Sequence, residues 1–106
     1  MDDNFGLSSR VRSEIESILS SCPSITGVDI FGSRAMGNYK SGSDIDLVLY
    51  GSNLDENILF SLYIKLESSP LIPHHVDLVA WDLIENKDLR QHIEQFGRPY
   101  YNKKGT

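Results

Sequence analysis

The segment DIDLVLYG, residues 44–51, restricts the fold of this chain more than any other stretch. It is a short, continuous aliphatic run bounded by glycine, which is typical of a buried strand. Successive strand side chains point to opposite faces of the sheet, so Asp44 and Asp46 project together while Ile45 and Leu47 line the other face. A buried strand that begins with two like charges requires a partner for its carboxylates elsewhere in the sequence.

Amphipathic helices and apolar strands alternate along the rest of the chain. The first half contains a helix in LSSRVRSEIESILSSCP with Ser8 or Ser9 as its N-cap, a strand in ITGVDIF, one helical turn in SRAMG and a polar loop in NYKSGS. After the central strand come a helix in DENILFSLYIKLESSP capped by Asp55, a strand in HHVDLVAW, and one or two helical segments that Gly97 closes in the C′ position. This order predicts an α/β fold, classed as α+β in some schemes, with a small mixed β-sheet and helices packed against it.

Length and composition narrow the classes of protein to which the chain can belong. A chain of 106 residues suits a single domain spanning 1–106, and its tail is expected to be partly disordered beyond Tyr101. A net charge of −5 argues against binding a nucleic-acid polymer, which needs clustered Lys and Arg. The chain has a single cysteine, Cys22, and no signal peptide pattern, which predicts a cytoplasmic protein. It has no apolar run of about 20 residues, so we expect no membrane span.

The two aspartates of the central strand are candidate metal ligands. Hard divalent cations prefer oxygen ligands, so paired carboxylates at a strand end suit Mg²⁺, although solvent-exposed acidic residues are common at such positions. Asp77, in the third predicted strand, completes the site if that strand neighbours the central one. His74 and His75 lack the spaced partners of a zinc site, and we interpret them as strand-edge residues.

A short Gly-Ser turn precedes the acidic pair. Gly32 ends a predicted strand and Ser33 begins a helical turn, an arrangement whose backbone N–H groups and hydroxyl suit a phosphate. A Walker A loop is excluded because Asn38 stands where lysine is required. Two interpretations of Arg34 stay open. It makes a charge-assisted contact to a bound triphosphate, or it is an exposed turn residue.

The motifs GSRAMG and SDIDL, with the later VDL, resemble those of the minimal nucleotidyltransferases (MNT), a branch of the DNA polymerase β-like superfamily. The likeness covers nearly the whole chain. It implies the nucleotidyltransferase fold, with two Mg²⁺ ions held by Asp44 and Asp46 and ATP phosphates bound by Gly32 and Ser33. At the matching position, Asp77 would bind the catalytic metal beside the incoming hydroxyl.

The resemblance also implies a partner. In the minimal branch a helical HEPN protein, in several pairs a toxic ribonuclease, accompanies the enzyme, and the nucleotidyltransferase acts as an MntA-type antitoxin that adds AMP to one of its tyrosines. Two alternatives stay open at this point. One is a binding module that neutralises a toxin by occlusion, and the other is an adenylyltransferase for a small molecule such as an aminoglycoside. The absence of a substrate domain weakens the small-molecule alternative, although a homodimer could supply one.

Overall fold

The computed structural model describes residues 4–102. The helices and strands follow one another in the order expected from the sequence, with one additional strand at the end. They are α1 (Ser9–Ser20), β1 (Ile25–Phe31), α2 (Gly32–Met36), β2 (Ile45–Gly51), α3 (Glu56–Ser68), β3 (Val76–Ala80), a 3₁₀ turn (Trp81–Leu83), α4 (Lys87–Phe96) and β4 (Arg98–Asn102). No helix in this part of the chain is long and apolar enough to cross a membrane.

The four strands form one mixed sheet in the order β3-β2-β1-β4. The central strand β2 pairs antiparallel with β1 and parallel with β3, and β1 pairs antiparallel with β4. The parallel pairing follows from the α3 crossover, which returns the chain to the end of the sheet where β2 begins. The expected small mixed sheet with packed helices is therefore confirmed.

Helices cover the two faces of the sheet unequally. One face packs against α1 and α3 in a large cluster that includes Ile15, Leu47 and Leu66. The other face carries a smaller cluster, built on Val48 and on Ile93 from α4. Fully burying one such aliphatic side chain stabilises the fold by roughly 1.5–3 kcal/mol. Asp46 is only half-buried and Asp77 is exposed, so the β2 and β3 carboxylates remain accessible.

Helix caps agree with the sequence. The Ser8 side chain accepts a hydrogen bond from the backbone N–H of Val11 and caps α1, and Asp55 accepts one from Ile58 and caps α3. Each cap satisfies a helix N–H that has no partner within the helix. The N-cap assigned to Ser8 or Ser9 is thus Ser8.

Two predictions for the C-terminal region are wrong. Sequence patterning gave no strand after the last helix, but Arg98–Asn102 forms β4 along β1; residues 103–106 lie outside the described part of the chain. Gly97 caps α4 with φ of −64°, so it does not adopt the left-handed conformation of a C′ glycine. Glycine is required for close packing instead, because a Cβ there would lie 2.6 Å from the carbonyl oxygen of Ile93.

Candidate active site

Three aspartates meet where β2 begins. Asp46 of β2 is paired in register with Asp77 of β3, and Asp44 lies just before β2. Directly paired positions on neighbouring strands place their side chains on the same face of the sheet. Strand β3 therefore neighbours β2, which is the condition for Asp77 to join the site.

The carboxylates affect one another electrostatically. Partial burial raises the pKa of Asp46, and the charges of Asp77 and Asp44, with a hydrogen bond to Asp77, raise it further. Like charges on neighbouring side chains disfavour the simultaneous ionisation of these carboxyl groups. A bound cation would relieve that repulsion.

His75 is a site residue that the sequence interpretation missed. Its Nε2 lies 2.8 Å from Oδ1 of Asp77, and its Nδ1 lies 3.0 Å from a carboxylate oxygen of Glu67 on α3. The hydrogen bond to Asp77 is the main cause that raises the pKa of His75. The available signal was its position two residues before Asp77, because residues two apart in an extended chain share a face.

The Gly-Ser turn lies beside the acidic residues. Gly32 has φ of 76°, a conformation that favours glycine, and a Cβ there would collide with Oδ2 of Asp46. Ser33 follows in α2, where its carbonyl oxygen accepts hydrogen bonds from Gly37 and Asn38. Glycine is thus required because the backbone passes directly against a carboxylate.

Arg34 is buried rather than exposed. Only 2% of it is exposed, and its guanidinium donates to the carbonyl oxygens of Phe5 at 2.8 Å and Ser43 at 2.9 Å. A weaker contact of 3.4 Å reaches the carbonyl oxygen of Ser41. The alternative of an exposed turn residue is therefore wrong, and the triphosphate contact of Arg34 stays a prediction. The residue fixes the loop that leads into Asp44.

The residues at this site fit a divalent cation. Asp44, His75 and Asp77 each offer a ligand atom, and the three atoms lie within 4.8 Å of one another. Asp46 adds a carboxylate with a raised pKa beside them. Oxygen-rich sets of this kind suit Mg²⁺, which is bound in proteins through one or two carboxylates and substrate phosphates.

Comparison with known proteins identifies the family. The family model for polymerase β nucleotidyltransferases matches residues 13–106. The chain belongs to this nucleotidyltransferase family. The expected resemblance to the minimal nucleotidyltransferases is confirmed by solved structures of toxin–antitoxin pairs that share this fold. No curated protein sequence is significantly similar to the chain.

Solved structures similar to this nucleotidyltransferase include toxin–antitoxin complexes. A chain from a toxin–antitoxin structure with AMP-PNP is 25% identical, with a TM-score of 0.72 over 88% of this chain and 74% of that chain. A chain from a Shewanella oneidensis complex of a tri-AMPylated HEPN toxin and an MNT antitoxin is 23% identical, with a TM-score of 0.66 over 87% and 70%. A protein from Sulfolobus solfataricus is 25% identical, with a TM-score of 0.54 over 89% of this chain and 79% of that chain.

Proposed function

We propose that this nucleotidyltransferase transfers AMP from ATP to a tyrosine hydroxyl of a partner HEPN toxin and so acts as its antitoxin. The observation that carries the proposal is the register pairing of Asp46 with Asp77 beside the Gly32 turn. That arrangement joins a carboxylate cluster to a Gly-Ser turn whose backbone N–H groups and hydroxyl suit a phosphate. In the proposed function, residues 1–106 act as one domain in the cytoplasm.

Asp44, Asp46 and Asp77 are the proposed ligands of two Mg²⁺ ions, with Gly32 and Ser33 next to the β and γ phosphates. When bound, the ions supply charge neutralisation at the attacking and leaving oxygens of an in-line displacement. The backbone at Gly32 lies against Asp46, so the triphosphate and the carboxylates share one small volume. Positioning of this kind accounts for much of the catalysis in nucleotidyl transfer.

Asp77 is the proposed proton acceptor. The tyrosine oxygen bonds to the α-phosphorus, the bond from that phosphorus to the pyrophosphate oxygen breaks, and the hydroxyl proton passes to the Asp77 carboxylate. With 51% of its side chain exposed, Asp77 is within reach of an acceptor from solution. His75 orients the carboxylate through the 2.8 Å hydrogen bond, and Glu67 holds His75 in turn.

Relatives support the identity of the nucleotide and the partner. One similar solved structure contains a toxin–antitoxin pair with AMP-PNP, an ATP analogue, and another contains an AMPylated HEPN toxin with its MNT antitoxin. A protein acceptor also agrees with the net charge of −5, which disfavours nucleic-acid polymers.

Transfer of label from α-³²P ATP tests the proposal. The chain is incubated with Mg²⁺ and a lysate of the source cells, and an Asp46→Asn variant is run in parallel. We expect one labelled protein band with the wild type and none with the variant, and mass spectrometry of that band should find AMP on tyrosine. The control is Asp82→Asn, which removes an exposed carboxylate from the 3₁₀ turn and should label like the wild type.

Other outcomes identify the alternatives. Mg²⁺-dependent ATP binding without any labelled protein would indicate a small-molecule acceptor. Absence of ATP binding would leave a module that neutralises its toxin by occlusion.

A further inference from the structure

The strand that carries Asp77 lies at an edge of the sheet. Within residues 4–102, β3 has β2 as its one strand neighbour. The parallel ladder begins with the hydrogen bond from Ile45 N–H to the His75 carbonyl oxygen at 2.9 Å. In residues 75–80, the backbone groups of the odd-numbered residues therefore bond to β2. The backbone groups of Val76, Leu78 and Ala80 consequently point away from β2. A free edge of this kind can pair with an extended segment of another chain.

A groove runs beside this edge, between α3, β3 and the segment that leads into α4. It consists of two cavities of about 300 and 290 Å³, which share Glu56, Leu59 and Leu78 in their walls. The first cavity is also lined by Phe60, Tyr63 and Asp77, and the second extends to Leu83, Glu85 and Leu89. We call this continuous surface the β3 groove. Asp77, which faces the acceptor in the proposed reaction, therefore lies at one end of the β3 groove.

The walls of the β3 groove are apolar and aromatic next to Asp77. Phe60 stacks on Tyr63 with ring centroids 6.5 Å apart, and Tyr63 meets the ring of His75 edge-on at 6.1 Å. Phe60 is 64% exposed and Leu83 is 45% exposed, at the two ends of the groove. Large apolar side chains exposed beside a cavity are typical of surfaces that bind another molecule.

The strand order separates the two sides of the reaction. Gly32 follows β1, on one side of β2, whereas Asp77 lies on β3, on the other side. The phosphates proposed at Gly32 therefore occupy the β1 side of the carboxylates. The β3 side, where the groove ends, is left for the acceptor.

We infer that the β3 groove binds an extended polypeptide segment of the acceptor protein and delivers its tyrosine to Asp77; this inference rests on the proposed function. The acceptor segment lies along the β3 edge, with the tyrosine ring against Phe60 and Tyr63. Its hydroxyl then meets the Asp77 carboxylate, which takes the proton as the oxygen-phosphorus bond forms and pyrophosphate leaves.

Charge and length argue for a polypeptide with basic side chains. Glu56 and Glu85 line the groove and give it a negative charge that repels a nucleic acid and attracts Lys or Arg. The groove follows β3 from Asp77 to Ala80, so it accommodates several residues of an extended chain rather than one small molecule. We therefore expect apolar and basic residues around the modified tyrosine.

The test uses the full chain, α-³²P ATP, Mg²⁺ and the lysate band labelled by the wild type. Phe60→Ser and Leu83→Ser truncate the two ends of the groove, and both side chains are exposed, so the fold should persist. Ile64→Ser is the matched control, since Ile64 is 44% exposed on the same helix and lines neither cavity. Binding of Mg²⁺-ATP by each variant checks that the nucleotide side is intact.

We expect Phe60→Ser and Leu83→Ser each to lower labelling of the acceptor by about tenfold or more, as for other interface anchors, with ATP binding and the Ile64→Ser variant unchanged. Wild-type labelling by both groove variants, or an equal loss in Ile64→Ser, would overturn the groove while leaving the transferase intact. A wild-type chain that labels no protein would overturn the proposed function, and the groove inference with it.

Discussion

Asp46 and Asp77 occupy paired positions on the parallel strands β2 and β3, with Asp44 close by. Folding thus brings like charges together on one face of the sheet. The arrangement costs free energy while the site is empty of cations, because burial and the neighbouring carboxylates raise the pKa of Asp46. In the proposed reaction, a bound cation would relieve this repulsion.

Asp46→Asn should lower AMP transfer by at least about a hundredfold, because it removes a proposed metal ligand. The same change should raise the melting temperature of the metal-free protein at neutral pH. A carboxyl group whose folded pKa is raised contributes stability at acid pH that is lost as the pH rises through the folded pKa, and asparagine does not ionise. Melting curves in EDTA measure the effect.

The melting-temperature difference between Asp46→Asn and the wild type should shrink as the pH falls toward the ordinary aspartate pKa. Added Mg²⁺ should stabilise the wild type more than the variant, since a ligand stabilises the state that binds it. A lower melting temperature for the metal-free variant at neutral pH would contradict this account.

Gly32→Ala should destabilise the protein and abolish transfer. The position has φ of 76°, and the new methyl group would collide with Oδ2 of Asp46, so both backbone strain and displacement of a carboxylate follow. Gly37→Ala shares only the strain, since φ there is 86° with no atom near the added Cβ, and should cost about 1 kcal/mol. Chemical denaturation measures the free energy of unfolding of both variants.

Gly42→Ala is the control for the glycine pair, because no atom lies within 4 Å of a Cβ added there. Its unfolding free energy should stay within about 0.5 kcal/mol of the wild type. If Gly32→Ala retained full transfer activity, the close approach of Gly32 to Asp46 would have no role in catalysis.

Arg34→Ala should lower the free energy of unfolding by about 2–4 kcal/mol. The guanidinium is buried and donates to the carbonyl oxygens of Phe5 and Ser43, so truncation leaves a buried and a partly buried acceptor without donors. The control is Arg10→Ala, an exposed position on α1, with an expected change within about 0.5 kcal/mol. Urea denaturation compares the two variants.

The Arg34→Ala variant also separates a structural role of the guanidinium from a role in nucleotide binding. Under conditions where Arg34→Ala is folded, its affinity for Mg²⁺-ATP should fall only modestly. A large loss of affinity in a fully stable variant would support a direct contact between this arginine and the triphosphate.

Tyr50 should give the protein a specific alkaline instability. Burial, and then the charge and hydrogen bond of Asp29, raise the pKa of Tyr50 to about 12. For an acid with a raised folded pKa, the stability is present below the unfolded pKa of about 10 and is lost as the pH rises toward the folded value. Tyr50→Phe removes this ionisation, so its unfolding free energy should fall less steeply across that range.

Denaturation midpoints recorded from neutral pH to the alkaline limit measure the Tyr50 effect. Tyr39→Phe keeps its ring beside Arg34 and serves as the control for loss of a hydroxyl elsewhere. Identical alkaline profiles for Tyr50→Phe and the wild type would show that the hydroxyl ionises as readily in the folded protein as in the unfolded one.

Local structure, and the position of each acidic residue within it, follow from short-range sequence patterns. Strand β1 begins and ends where the apolar pattern predicts, and Ser8 and Asp55 cap their helices, because side-chain periodicity and capping depend on residues only a few positions apart. The two-residue spacing of Asp44 and Asp46 has the same local origin.

Long-range packing sets which distant groups meet. The burial of Arg34 depends on the N-terminal segment that carries Phe5, and β4 depends on the free side of β1. The link between His75 and Glu67 depends on the packing of α3. These contacts join residues far apart in the chain, and their free energy comes from burial and hydrogen bonds that exist only after the sheet has formed, so a local pattern carries little sign of them.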